Sequence, residues 1–387
     1  MVTRVIRHIS ELTTNDPSVG DQTVMGRLRD AAMVVDGSFV LWTGPDALAP
    51  DADEMVDAAG SAVVPGFVDS HTHLVFSGER SDEFEARMAG QPYDGGGILR
   101  TVRATREATT EELRATTRRR VDELRAGGVT TIEVKSGYEL TVDGEARLVE
   151  VAGEVTGEVT FLGGHVVAPE FASDREGYVE LVCGAMMDAC ADGAKWADVF
   201  CERGAFSVDE ARSILESARR HGLGLRLHGN QLGDTGGVAL AVELGAASVD
   251  HCTFVSDRDV EALAGSSTVA TLLPGAEFST RSPYPSARRL LDAGACVALA
   301  TDCNPGTSYV TSMGFVLALA VREMGLSPDE ALWAATAGGA HALRRSDIGR
   351  LAVGSRADFV LLDAPRAAHL AYRPGTNLVR RTFLAVD

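Results

Sequence analysis

Lysine is almost missing from this chain: of 36 basic residues, only Lys135 and Lys195 are lysines. A G+C-rich genome produces that preference for arginine, and no function follows from it. Positive charge is scarce as well. The 55 Asp and Glu leave a formal net charge of −19. A polyanion of this size repels phosphate backbones and anionic lipid surfaces, so nucleic acid and membrane are excluded as expected partners. No apolar run approaches the ~18 residues that cross a bilayer. The longest, around Met313 to Val321, is interrupted by Gly314 and reads as a buried helix. The opening MVTRVIRHIS lacks the apolar stretch of a signal peptide, which makes the cytoplasm the expected location. The six cysteines are dispersed and form no C-x-x-C pair. They are expected to be free, buried thiols, not a disulfide framework or a thiolate metal site.

What is present is enough apolar material for a large core: 45% of 387 residues are hydrophobic and 24% charged. Residues 1–61 and 347–387 are rich in short strand-like runs punctuated by turns, such as AAMVVDG and ADFVLLD, and are expected to meet in one small β module. In the stretch 62–346, apolar runs alternate with helical segments, the pattern of a parallel α/β fold. Eight runs are found: AVVPGFVDSH, VTTIEVKS, EVTFLGGH, WADVFCE, GLGLRLHGN, ASVDHC, VATLLPG and CVALATDC. Eight strands with helices between them predict a (β/α)8 barrel, which typically needs about 250 residues. Helix starts are signalled by Thr109 with Glu112, Ser207 with Glu210, and Ser327 with Glu330 behind Pro328. Gly127 and Gly222 fall where helix ends favour a left-handed residue. The glycines at 95–97 follow no strand, so they read as a flexible loop and not as a phosphate cradle.

Polar residues gather at the carboxyl ends of the predicted strands, the catalytic face of a barrel. The first run ends in His71-Thr72-His73. Residues two apart on a strand point the same way, so both imidazoles can reach one ion. The fifth run ends in His228 and the eighth in Asp302. Three neutral imidazole nitrogens and one carboxylate suit one divalent ion, Zn or Fe, with a position left for water. The run WADVFCE ends in Glu202, a carboxylate that could in principle bridge a second ion.

GFVDSHTHL, His228, His251, TDCNPGTS and GSRADFVLLD together resemble the amidohydrolase superfamily, whose members carry a barrel and a small β-sandwich made from both chain ends. HTHLVFSGERSDEFEARMAG, GGGILRTVRATREAT, GVTTIEVKSGYEL, TFLGGHVVAPEF and DVFCERGAFS narrow that resemblance to the imidazolonepropionase family. The likeness covers most of the chain. It implies hydrolysis of the cyclic amide of 4-imidazolone-5-propanoate to N-formimidoyl-L-glutamate in histidine degradation, and a homodimer.

The same resemblance assigns substrate-binding roles. Arg80 matches the family's carboxylate-binding arginine, and a guanidinium is a natural bidentate partner for a carboxylate tail. Tyr138 and His165 match substrate-contacting positions, with Tyr93 as a weaker candidate. Asn304, Gly306 and Thr307 follow Asp302 in a turn expected to touch substrate or product. Two positions depart from the family. Glu139 stands where a second glycine is usual, and Gln231 stands three residues after His228, where many relatives have a glutamate. An amide is no base, so Gln231 is left to hydrogen-bond the ring. Proton transfer then falls to Asp302, with His251 stabilising the developing oxyanion or orienting its neighbours. The alternatives are an aminohydrolase of a nucleobase-like heterocycle, for which Arg80 has no evident purpose, and a catalytically dead barrel.

Overall fold

The computed structural model describes residues 2–91 and 97–385. Tyr93 and the glycines at 95 and 96 therefore lie outside the described residues. Two compact units emerge from the chain: Met1–Ser70 with Glu123–Thr131 and Ser312–Asp387, and His71–Asp122 with Ile132–Thr311.

Strands β1 (Arg4–Thr13), β2 (Arg27–Val35), β3 (Val40–Pro45), β4 (Glu54–Asp57) and β5 (Ala62–Pro65) come from the amino-terminal part. Eight strands follow: β6 (Phe67–Asp69), β7 (Val129–Lys135), β8 (Glu158–Gly164), β9 (Trp196–Cys201), β10 (Gly224–Gly229), β11 (Ser248–His251), β12 (Val269–Leu272) and β13 (Val297–Leu299). The last two are β14 (Phe359–Leu362) and β15 (Val379–Phe383).

The strands of the two chain ends form one mixed sheet in the order β15-β14-β5-β1-β2-β3, with β4 also on β1. Its apolar side is a cluster of Ile6, Ile9, Leu12, Met33, Val35, Phe359 and Leu361. Phe359 lies opposite Phe383 in the β14–β15 ladder, and their rings stack with centroids 4.2 Å apart.

The remaining eight strands form the parallel sheet, in strict chain order from β6 to β13. All eight expected runs are therefore strands. The first of them is two strands, not one. Ala62–Pro65 belongs to the mixed sheet and Phe67–Asp69 to the parallel one. The break falls at Gly66, where a Cβ would overlap the Thr130 side chain. The sheet closes on itself just beyond its named ends: Asp302 N donates to His71 O at 3.1 Å, and His73 N to Cys303 O at 3.0 Å. The segments carrying expected metal ligands are thus hydrogen-bonded to each other through their backbones.

The helix signals hold with one shift. Ser207/Glu210 and Ser327/Glu330 are reciprocal capping boxes, and Thr109 and Glu112 exchange the same bonds. The residue with positive φ after helix Thr110–Ala126 is Gly128 (φ 91), not Gly127. The Gly127 amide still closes the last turn on Glu123 O, which moves the left-handed position one residue on. Met313–Glu323 is a helix with Met313, Val316, Leu317 and Ala320 buried. No helix among the described residues is long and apolar enough to cross a membrane. No disulfide joins any of the six cysteines, all of which are among the described residues; Cys183 and Cys296 are only half-buried.

Candidate metal centre and substrate pocket

The strand ends bring His71, His73, His228 and Asp302 together. Nε2 of His73 lies 3.3 Å from Nε2 of His71 and 3.2 Å from Nε2 of His228. Oδ1 of Asp302 lies 3.4 Å from His71 Nε2 and 3.6 Å from His73 Nε2. Four ligands each ~2.1 Å from one tetrahedral ion are separated by about 3.4 Å, which these four separations match.

The opposite faces of two rings explain why a cation fits. His71 Nδ1 sits 2.7 Å from Asp250 Oδ2, and His228 Nδ1 sits 2.9 Å from Asp198 Oδ2. A proton on each Nδ1 faces its carboxylate, so the Nε2 lone pairs point at one another. Burial holds His71 and His73 well below the usual histidine range, so protonation does not relieve that opposition. Burial also pushes Asp302 well above the usual carboxylate range, a cost that a cation among these atoms reverses. The donor set therefore fits one divalent metal.

The carboxylates behind the histidines are fixed by buried cations. Lys135 Nζ lies 2.8 Å from Glu133 Oε1 and 2.9 Å from Asp198 Oδ2, and Arg226 Nη2 lies 3.3 Å from Asp250 Oδ2. Burial raises the pKa of Asp198 and Asp250, but the neighbouring His228 ring and the Lys135 and Arg226 charges outweigh it, and both are held below the ordinary range. His71, His228, Asp198 and Asp250 also cluster closely enough for an ion. Lys135 and Arg226 already supply the positive charge there, so this group is a scaffold and not a second metal site.

His251 ends β11 with its ring centroid 5.4 Å from that of His228. Burial and the neighbouring His228 lower its pKa to about 3, so it is neutral at working pH. His251 (φ 79), Cys252 (φ 52) and Asp302 (φ 53) adopt the left-handed conformation that side chains disfavour, and such strain gathers at functional sites.

One cavity is lined by His73, His228, His251, Asp302, Arg80, Tyr138, His165, Gln231, Asn304 and Thr307, together with Ile98 and Phe200. Of the expected residues that are described, only His71 and Gly306 fall outside this lining. His165 Nδ1 lies 2.9 Å from Gly137 O, and its ring stacks on His73 at 5.4 Å. Burial and His228 lower its pKa to about 4, so a neutral ring presents Nε2 as an acceptor. The loop carrying Tyr138 is held by Glu145, whose carboxylate accepts the amides of Gly137, Glu139 and Leu140 at 2.7–2.9 Å. Glu139 turns away from the cavity to pair with Arg147. Gln231 lines this cavity, with no hydrogen bond to its side-chain amide among the described residues. Asn304 is spent on its own turn: Oδ1 accepts the Gly306 and Thr307 amides at 2.8 Å, and Nδ2 donates to Asp302 O at 2.7 Å. Glu202 accepts the amides of Arg203 and Leu232 and joins no metal-binding group among the described residues.

Sequence reading missed Glu133, Lys135, Asp198, Arg226 and Asp250. Their signal was charge inside apolar strands at alternate positions: Glu133 and Lys135 on β7, Arg226 and His228 on β10.

Comparison with known proteins agrees with this geometry. The profile of the amidohydrolase family matches residues 62–385. The imidazolonepropionase of Streptomyces griseus is 60% identical over 379 residues, covering 98% of this chain and 97% of that protein. That of Mycolicibacterium smegmatis is 61% identical, covering 98% and 96%. Among solved structures, a zinc-bound adenosine deaminase from Xanthomonas campestris superposes with a TM-score of 0.72 at 20% identity, covering 99% of this chain and 91% of that one. An N-isopropylammelide isopropylaminohydrolase from Burkholderia multivorans gives 0.71 at 22%, covering 100% and 97%. At those identities the structures speak for the fold. The chain belongs to the amidohydrolase family and, within it, to the imidazolonepropionases.

Proposed function

We propose that this protein hydrolyses the ring amide of 4-imidazolone-5-propanoate to N-formimidoyl-L-glutamate, a step of histidine degradation, using one Zn or Fe ion. The observation that carries the reading is that His73 Nε2 lies 3.2–3.6 Å from His228 Nε2, His71 Nε2 and Asp302 Oδ1, with His71 Nε2 3.4 Å from that same oxygen, and that His73, His228 and Asp302 line one cavity with Arg80. The ion, when bound, supplies an activated water near neutral pH.

The protein's own groups do the rest. Arg80 takes the propionate tail and so sets the ring over the histidines. Tyr138, the Nε2 acceptor of His165 and the Gln231 amide meet the polar edge of the ring, while Ile98 and Phe200 give it apolar walls. Asp302 accepts a proton from water as the carbonyl carbon is attacked, and passes it to the ring nitrogen when the C–N bond breaks. A neutral His251 donates a hydrogen bond to the oxygen that gains charge. The substrate is a free small molecule, and the functional form is a homodimer.

The test is elemental analysis of the purified protein together with loss of imidazolone absorbance. Turnover with one divalent ion per chain is expected. A metal-loaded preparation that leaves imidazolonepropanoate intact, or that instead releases ammonia from nucleobases, overturns the reading.

A further inference from the structure

Arg80 does not reach the cavity as a bare cation. Glu83 grips it along one edge, with Arg80 Nε donating to Glu83 Oε1 at 2.9 Å and Nη2 to Oε2 at 2.6 Å. The pair is flanked by two glycines. A Cβ at Gly97 would overlap Nη2 and both Glu83 oxygens, and a Cβ at Gly306 would overlap Nη1 and Cζ. Arg80 stands just before helix Ser81–Met88, Glu83 lies in its first turn, and Arg87 lies one turn further along the same face. Arg87 is buried and donates from Nη2 to Gly306 O at 2.7 Å. One short helix thus fixes the arginine through Glu83 and the turn lying over it through Arg87.

We infer that Glu83 is the positioning residue for carboxylate recognition: it holds the Nε–Nη2 edge of Arg80 so that the Nη1–Nη2 end edge is the one offered to the substrate tail. The inference rests on the reading of Arg80 given above. A guanidinium can be approached by a carboxylate along its side edge or end-on. The side edge held by Glu83 is closed to a second carboxylate, which turns the tail toward the end edge. Glu83 is not a stand-in that substrate must displace, because the edge it holds is also covered at Gly97. The arginine side chain is 2% exposed and that of Glu83 27%, so the buried cation keeps a permanent partner that reaches water.

Glu83→Gln and Glu83→Ala test this in the metal-loaded protein. Both are expected to raise KM for imidazolonepropanoate roughly 10- to 100-fold with kcat changed less than about threefold, because ground-state and transition-state binding of the tail are lost alike. Metal content should not move. The amide of the substrate's carboxyl group, which has no anion to align, should show the same kcat/KM in wild type and Glu83→Gln. Binding of imidazole-4-propanoate, which carries the same tail on a ring with no amide to cut, should weaken by a similar factor in calorimetry. An unchanged KM, a lowered KM (a displaceable occupant), or a fall confined to kcat overturns the inference. If wild type turns over nothing, the proposed reaction fails on its own. The calorimetric comparison then still decides the role of Glu83, since equal binding by wild type and Glu83→Gln refutes it.

Discussion

Lys135 Nζ lies 2.9 Å from Asp198 Oδ2, the same oxygen that stands 2.9 Å from His228 Nδ1. A buried ammonium on the second barrel strand therefore sets the orientation of a metal-facing imidazole on the fifth. Asp250 does the same for His71, with Arg226 behind it. Lys135 keeps its proton despite burial, because Asp198 and Glu133 outweigh the desolvation that opposes it.

Removing that ammonium should be costly. Lys135→Met leaves Glu133 and Asp198 buried without their cation, a change worth about 3–5 kcal/mol in comparable buried pairs. Urea unfolding should show a loss of that order, with a lower metal affinity for the folded fraction. A loss under about 1 kcal/mol would mean that the carboxylates find other partners.

The metal and the tail-binding group are separable. His228→Ala removes an Nε2 donor 3.2 Å from that of His73 and should abolish stoichiometric metal in elemental analysis. Arg80→Ala should keep its metal and raise KM by roughly 100-fold, the scale of a lost charge-assisted bidentate contact. Metal loss in both variants would show that Arg80 supports the centre itself.

The barrel was legible because apolar runs alternate with helical segments, and its ligands because H-x-H, a strand-end His and a strand-end Asp are placed at carboxyl ends by the fold alone. The scaffold behind them was not. Glu133, Asp198 and Asp250 look, in sequence, like polar interruptions of a strand, and their meaning depends on which strands are neighbours around a closed barrel. The pairing of Arg80 with Glu83 was hidden differently. An i,i+3 ion pair at a helix start is ordinary surface chemistry, and only the glycines at 97 and 306, distant in sequence, show that its arginine is enclosed. Gly306 was expected to touch substrate or product; the space its missing side chain leaves is taken by the Arg80 guanidinium. The division of Ala62–Asp69 between two sheets was equally invisible, because Val63, Val64, Phe67 and Val68 are all buried and share one apolar signature.

Gly306→Ala probes that space. The added methyl meets Nη1 and Cζ of Arg80, so the arginine or the turn held by Arg87 must shift. Overpacking of this kind costs about 1–3 kcal/mol. The expected result is a lower melting temperature and a KM raised by at least tenfold, with metal retained. An unchanged KM would show that the tail binds away from the Arg80 end edge.

A buried carboxyl outside the cavity lining gives the last prediction. Glu277, in helix Pro274–Thr280, is 2% exposed and accepts one hydrogen bond, from Thr253 Oγ1 at 2.7 Å. Burial raises its pKa from 4.5 to about 7. A carboxyl whose folded-state pKa is raised favours folding in its neutral form. Its contribution is complete below pH 4.5 and is lost as pH climbs through about 7, because the unfolded chain releases the proton first. A shift of this size corresponds to roughly 3 kcal/mol across that window. Glu277→Gln keeps an oxygen for Thr253 and cannot ionise. The variant should therefore be more stable than wild type at pH 8 by an amount approaching that figure, with the difference shrinking steadily as pH falls toward 4.5. Unfolding free energies of both proteins, measured side by side in urea from pH 4.5 to 8, decide the matter. A difference that does not change with pH would show that Glu277 is already ionised in the folded protein at the low end of the range, and that its second oxygen has a partner in solution.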